Sequence, residues 1–96
     1  MPSAKFDLRQ IVATPGALEV LKIAGQNPTE FLTRHAAGDW GEVCDEDKQA
    51  NEDALKTGAR LLSAYTALDE RILIITEAAD EDGRRAATTI LLVSEY

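Results

Sequence analysis

A chain of 96 residues with 45% hydrophobic content is sized for one small domain built on one core, and residues 1–96 are read as that single domain. Ten basic against seventeen acidic side chains give a formal charge of -7, which opposes sequence-independent contact with nucleic-acid phosphates or anionic lipid. Two Phe, two Tyr and one Trp are too few to stack a row of bases.

Residues 1–5 are expected to be flexible. Over residues 6–13 the alternation holds only at first, Phe6 and Leu8 against Asp7 and Arg9, which predicts a short edge strand or an extended arm. Thr14-Pro15 opens a helix, the threonine oxygen capping the first turn and proline taking the position whose missing N–H costs nothing. Leu18 and Leu21, with Val20 and Ala24, should face inward, and Gly25 suits a left-handed cap. Asn27-Pro28-Thr29-Glu30 repeats the start signal, with Glu30 where a capping box needs its reciprocal partner. This second helix carries Phe31, Leu32 and His35 to a stop at Gly38.

A longer helix opens near Asp45. On it Ala50, Ala54 and Gly58 form a narrow small-residue stripe that predicts close packing. Asp45, Gln49, Glu52, Asp53 and Lys56 form its solvated face, Glu52 and Lys56 at the favourable four-residue spacing. Past Gly58 the period changes, Leu62, Ala64 and Thr66 alternating with Ser63 and Tyr65. Residues 59–66 are therefore read as a strand, although the pattern can also continue the helix. Asp69-Glu70 is placed in a turn, Arg71 to Glu77 in a buried central strand, Asp80 to Gly83 in a second turn and Ala87 to Val93 in a last strand. The expected fold is α+β: two short N-terminal helices and one longer acidic helix, then a three-stranded antiparallel β-meander, with room for an extra N-terminal edge strand.

Lys5, Asp7 and Arg9 interrupt the first twelve residues, so these lack the apolar run of a secretory signal. The longest aliphatic runs, Ile72 to Ile75 and Ile90 to Val93, fall far short of the roughly 20 residues that span a bilayer. One cysteine and one histidine exclude an internal disulfide and a four-ligand zinc site, and Cys44 reads as a small buried hydrophobe. No glycine-rich phosphate loop is present. A cytoplasmic protein without membrane attachment or cofactor is expected.

Charge is the one sharp compositional shift. Residues 39–53 hold seven acids, Asp39, Glu42, Asp45, Glu46, Asp47, Glu52 and Asp53, against Lys48 alone, a net -6 of the total -7. Acids in the first turn complement the helix dipole and later ones solvate its outer face. The alternative is a negative patch for a basic protein groove, including one that normally holds DNA or RNA. Metal binding by Asp45, Asp47 and Asp53 is disfavoured, because their order lacks the calcium-loop pattern and its turn glycine. The third helix is therefore not expected to touch nucleic acid.

Arg34-His35-Ala36-Ala37-Gly38-Asp39-Trp40-Gly41 gathers the only His and the only Trp with an Arg and an Asp around two glycines. His35 could act as general acid or base in phosphodiester cleavage with Arg34 steadying the phosphate, and Thr76 and Thr88 hydroxyls on a neighbouring sheet would suit such a pocket. Structurally, His35 would instead cap its helix, Asp39 would cap the following turn and Trp40 would plug the gap between helix and sheet.

These segments carry a resemblance. Thr14-Pro15-Gly16-Ala17-Leu18, the Arg34 to Gly41 segment, the Asp45 to Ala54 helix, Leu61-Leu62-Ser63-Ala64-Tyr65, Ile74-Ile75-Thr76-Glu77 and Thr88-Thr89-Ile90-Leu91-Leu92 together resemble one family. It comprises small proteins of bacterial plasmids and integrative elements, labelled "plasmid-related" or type I restriction endonuclease subunit M. The resemblance spans Thr14 to Tyr96 and implies a mobile-element setting without a settled activity. A methyltransferase subunit would need a cofactor-binding α/β domain that this length does not hold. The chain departs from the family in its acidic turn, Ala78 to Arg85, and in Val93 where a proline is usual. Element order also resembles the small ribonuclease toxins of the barnase and RelE type, at the level of fold analogy.

The leading expectation is a non-enzymatic accessory protein, monomer or homodimer, that binds an unidentified protein partner through Asp39, Trp40, Glu42, Asp45, Glu46, Glu52 and Asp53. The alternative is a metal-independent ribonuclease using Arg34, His35, Thr76 and Thr88. Self-association through an exposed sheet edge is a third reading.

Overall fold

The structure, a computed structural model, describes residues 4–96. In chain order the elements are β1 (Gln10–Ala13), α1 (Pro15–Ala24), α2 (Pro28–Ala36), α3 (Asp45–Thr57), β2 (Leu61–Ala67), β3 (Glu70–Thr76) and β4 (Ala87–Leu92), closed by a 3₁₀ turn, Val93–Glu95. The flexibility expected of residues 1–5 lies, for residues 1–3, outside the described residues. Lys5 is tied, its N–H donating to the Ala36 carbonyl at 2.7 Å.

Both proline-opened helices form on their caps. Thr14 accepts from the Ala17 N–H at 3.2 Å and Asn27 from the Thr29 N–H at 2.9 Å. Gly25 and Gly58 close α1 and α3 in the left-handed region. Glu30 stays exposed in the first turn of α2 and, among the described residues, adds no reciprocal bond. Ala17 and Leu21 are the buried residues of α1, while Leu18 is exposed. On α3 the inward stripe is turned by one position from the expected one: Asn51 and Ala54 are buried and Ala50 is not. Leu61 and Trp40 pack on Ala54, which is 1% exposed.

The sheet has four strands in the order β1-β4-β3-β2 and is mixed. The expected meander is present as β2-β3-β4, but the three-stranded antiparallel description needs correction, because β1 adds to β4 in parallel, Gln10 opposite Ala87 and Ala13 opposite Ile90. The Thr14 N–H continues this pairing onto the Ile90 carbonyl at 3.0 Å, so the chain enters α1 already aligned with β4. The first hairpin turns at Leu68-Asp69, both at positive φ, one residue earlier than expected, and Glu70 begins β3. The last strand ends at Leu92, with Val93 starting the 3₁₀ turn.

Pairing and alternation sort the sheet into two faces. Ser63, Tyr65, Ile72, Ile74, Thr76, Thr88 and Ile90 share the face beneath the helices. Ala17, Leu21, Phe31 and Leu32 pack on it, with Tyr65, Ile72, Ile74 and Ile90, as the main core. Leu62, Ala64, Arg71, Leu73, Ile75, Thr89 and Leu91 share the other face, outside both core clusters.

Candidate functional site

His35 is the centre of the one buried polar cluster. Helix α2 carries it on the face that also buries Phe31 and Leu32, and the helix lies across the sheet so that the imidazole is fully buried. Its Nδ1 meets the Ser63 hydroxyl, and its Nε2 lies 2.9 Å from Thr76 Oγ1. Thr76 Oγ1 lies 2.8 Å from Thr88 Oγ1, which donates to the Leu8 carbonyl at 2.8 Å. Ser63, Thr76 and Thr88 are buried completely.

That carbonyl sets the direction of the whole chain, because it can only accept and each hydroxyl has one proton. Thr88 spends its proton on Leu8, so Thr76 must donate to Thr88. Thr76 can then only accept from His35, which makes the neutral imidazole the Nε2–H tautomer. Nδ1 is left to accept from Ser63. Every donor and acceptor is used, and no buried side-chain N or O among the described residues lacks a partner. Burial, helped by the positive charge of Arg85, pushes the His35 pKa down to about 4. The imidazole is neutral at pH 7, and protonating it would leave the Ser63 proton without its acceptor.

An N-terminal strap closes this cluster from outside. Phe6 sets its ring edge-on to His35 at 5.2 Å and stacks with Trp40 at 6.3 Å. Arg85 lies over Phe6 at 5.9 Å and donates to the carbonyls of Ala54, Ala59 and Glu77, tying the end of α3 to the end of β3. Arg85 is therefore committed to backbone, a fixed cation beside His35.

Arg34 points away from the cluster. It makes a 2.8 Å bond to Asp39 and lies 4.5 Å over the Tyr65 ring. The Arg34 bond holds the Asp39 carboxyl below its ordinary range, and both side chains are about half exposed. Burial pushes the Tyr65 phenol up to about 12, and its O–H donates to the Asp39 carbonyl at 2.6 Å.

The segment Gly38 to Gly41 runs beside β2 as an edge cover. The Trp40 carbonyl accepts from the Ala64 N–H, and the Glu42 N–H donates to the Ala64 carbonyl at 2.7 Å. Gly41 is required here, since its φ is +73° and a Cβ would overlap the Ala64 carbonyl oxygen. Asn51 satisfies the next pair along the same edge, bonding both the N–H and the carbonyl of Leu62. The sheet edge at β2 is thus sealed by a turn and an amide.

Trp40, expected to meet a partner, is 4% exposed and packs with Ala54 and Leu61. It is a positioning residue: its Nε1 donates to Glu52 at 2.8 Å and fixes α3 against the turn. Asp39 bonds the Gly41 N–H, as a turn cap does, and Glu42 accepts from the Thr66 hydroxyl. Asp45, Glu46 and Asp53 remain exposed on the outer face of α3, together with Asp47. Cys44, expected to be buried, is exposed at the start of α3.

Three of the four ribonuclease candidates, His35, Thr76 and Thr88, are thus brought together, and Arg34 is not. Ser63, Asn51 and Arg85 were missed. Ser63 was accessible in principle, because alternation with Leu62 and Ala64 places it on the same face as Tyr65, where a hydroxyl needs a partner. Among the described residues no group of three His, Cys, Asp or Glu could hold a metal ion, and no helix is long and apolar enough to cross a membrane. No protein-family model, curated protein or solved structure matches the chain.

Proposed function

We propose that the chain is a non-enzymatic accessory protein that binds a basic protein partner through the outer face of α3 and the rim of the adjoining turn. The supporting observation is that Asp45, Glu46, Asp47 and Asp53 are exposed and, among the described residues, enter no ion pair, on a helix locked in place by Asn51 and the Trp40–Glu52 bond. A fixed field of one sign favours fast, salt-sensitive association with a surface of the opposite sign. The sequence resemblance supports a role in the service of a bacterial mobile element, and the single cysteine supports a reducing, cytoplasmic setting for it. Asp39 and Glu42 extend the negative rim, whereas Trp40 and Glu52 hold the helix. Pull-down with wild type and with Glu46→Lys, Asp47→Lys and Asp53→Lys combined tests the reading: salt-sensitive partners should be lost, and identical partner lists would refute it.

One observation favours ribonuclease chemistry, the meeting of His35 with Thr76 and Thr88. Against it, the burial that keeps water from His35 also withholds it from a phosphodiester. That reading requires growth inhibition on expression, relieved by His35→Ala.

A further inference from the structure

A recess of about 270 Å³ opens between the N-terminal strap and the turn that joins β3 to β4, lined by Phe6, Asp7, Arg9, Gly83, Arg84 and Arg85. It gathers three of the ten basic side chains of a chain whose net charge is -7. Asp7 is the one carboxylate on its wall, so the wall carries three positive charges against one negative, a net +2. The acids of the turn do not line it. Asp80 Oδ1 accepts from the N–H groups of Asp82 and Arg84 at 2.9 and 3.0 Å, and Asp80 and Glu81 line an adjoining recess together with Lys56. The floor of the site is a fixed cation. The Arg85 guanidinium is held by the carbonyls of Ala54, Ala59 and Glu77, and these bonds use at most three of its five N–H donors. Among the described residues neither Arg84 nor Arg85 enters an ion pair. Burial pushes the Arg85 pKa down, with no carboxylate acting to raise it. A half-buried guanidinium of this kind has lost hydration without gaining an anion in exchange. Arg9 comes from the strap side, where Asp7 accepts its N–H at 2.9 Å and meets its guanidinium only at 3.7 Å.

We propose that this recess binds a small phosphate monoester. Planar guanidinium groups match the oxygens of a phosphate and can bond them two at a time. At pH 7 a phosphate monoester carries about two negative charges, which the wall balances, whereas a carboxylate or a phosphodiester carries a single one. The remaining donors of Arg85 are set in place before a ligand arrives, so little freedom is lost in ordering them. The recess is larger than a phosphate group and Phe6 forms part of its wall, which leaves room for an apolar or aromatic ester group. The site lies on the strap and the turn after β3, and it does not rest on the partner reading of α3.

Titration with inorganic phosphate, phenyl phosphate, dimethyl phosphate and acetate at constant ionic strength, followed by amide ¹H–¹⁵N shifts, tests this on wild type, Arg84→Gln and Asp7→Asn. Both positions are exposed, Asp7→Asn keeps an oxygen for the Arg9 N–H, and circular dichroism checks that each variant folds. Inorganic phosphate and phenyl phosphate should give saturable shifts centred on residues 6–9 and 83–85, with phenyl phosphate the tighter of the two. Dimethyl phosphate and acetate, each a monoanion, should bind about tenfold more weakly. Arg84→Gln should weaken phenyl phosphate binding by about tenfold, and Asp7→Asn, which removes the opposing charge, should tighten it. Shifts that rise linearly and spread to Arg60 and Arg71 would show general screening and overturn the proposal. Acetate bound as tightly as phosphate, phenyl phosphate bound more weakly than inorganic phosphate, or binding unmoved by Arg84→Gln would each overturn it too.

Discussion

On the helix-covered face of the sheet Ser63, Thr76 and Thr88 are fully buried, whereas on the opposite face Leu73 and Ile75, each 7% exposed, lie between charged ends, with Tyr96 bordering Ile75. The helix-covered face thus carries both the main core and a buried polar chain, whereas the other face buries aliphatic side chains alone at its middle. Burying a hydroxyl is tolerable only where a partner removes the penalty of roughly 1–3 kcal/mol, and His35 supplies partners for two of the three while Leu8 completes the third. On the opposite face the middle positions, Ala64, Leu73 and Ile75, are apolar and are buried by their own neighbours.

The largest effect should come from breaking the covered face at its centre. His35→Ala opens a cavity and leaves Ser63 and Thr76 without partners, and urea unfolding should show a loss of about 3–5 kcal/mol. A loss under about 1 kcal/mol would mean that the chain of bonds carries little stability.

Acid should act on the same face without mutation. His35 has a folded pKa of about 4 against an ordinary 6.5, so the unfolded chain takes up the proton first. The stability held by the neutral imidazole is fully present above pH 6.5 and is lost as pH falls toward 4, by at most about 3 kcal/mol at 1.36 kcal/mol per pH unit. Urea midpoints compared at neutral and mildly acid pH for wild type and His35→Gln isolate it, since the variant should lack this component.

A smaller loss is expected at the sealed edge. Gly41→Ala must accept a positive φ and displace the Ala64 carbonyl, at a cost of about 2–3 kcal/mol in thermal or urea unfolding. Wild-type stability would show that the turn does not bind the β2 edge as described. The smallest effect has the opposite sign: Leu68 is exposed at φ +51° at the hairpin tip, so Leu68→Asn should stabilise by about 0.5–1 kcal/mol.

Local signals were legible in the sequence and partner choices were not. Thr14-Pro15 and Asn27-Pro28 announce their helices because a cap and its first turn lie within four residues of each other. The strand at residues 61–67 shows in its alternation. The parallel partner of β1 does not, since nothing in residues 10–13 distinguishes β4 from a free edge until the fold brings Ala87 to Gln10. The turn at Leu68-Asp69 was misplaced by one residue because leucine rarely takes a left-handed conformation. The candidate site was half legible for the same reason. His35, Thr76 and Thr88 stood out by residue type, but their full burial depends on the N-terminal strap with Phe6, which is remote in sequence, and on Trp40 folding back beside the imidazole. Asn51 reads as one more polar residue on an acidic helix until its amide is seen against Leu62.

The central claim is that His35 is a neutral, fully bonded member of a closed structural chain. A long-range ¹H–¹⁵N correlation spectrum of the imidazole across a pH titration reads tautomer and charge together. The Nε2–H tautomer should persist through neutral pH, with protonation only near pH 4. An imidazole already cationic near pH 6.5, or carrying its proton on Nδ1, would contradict the account.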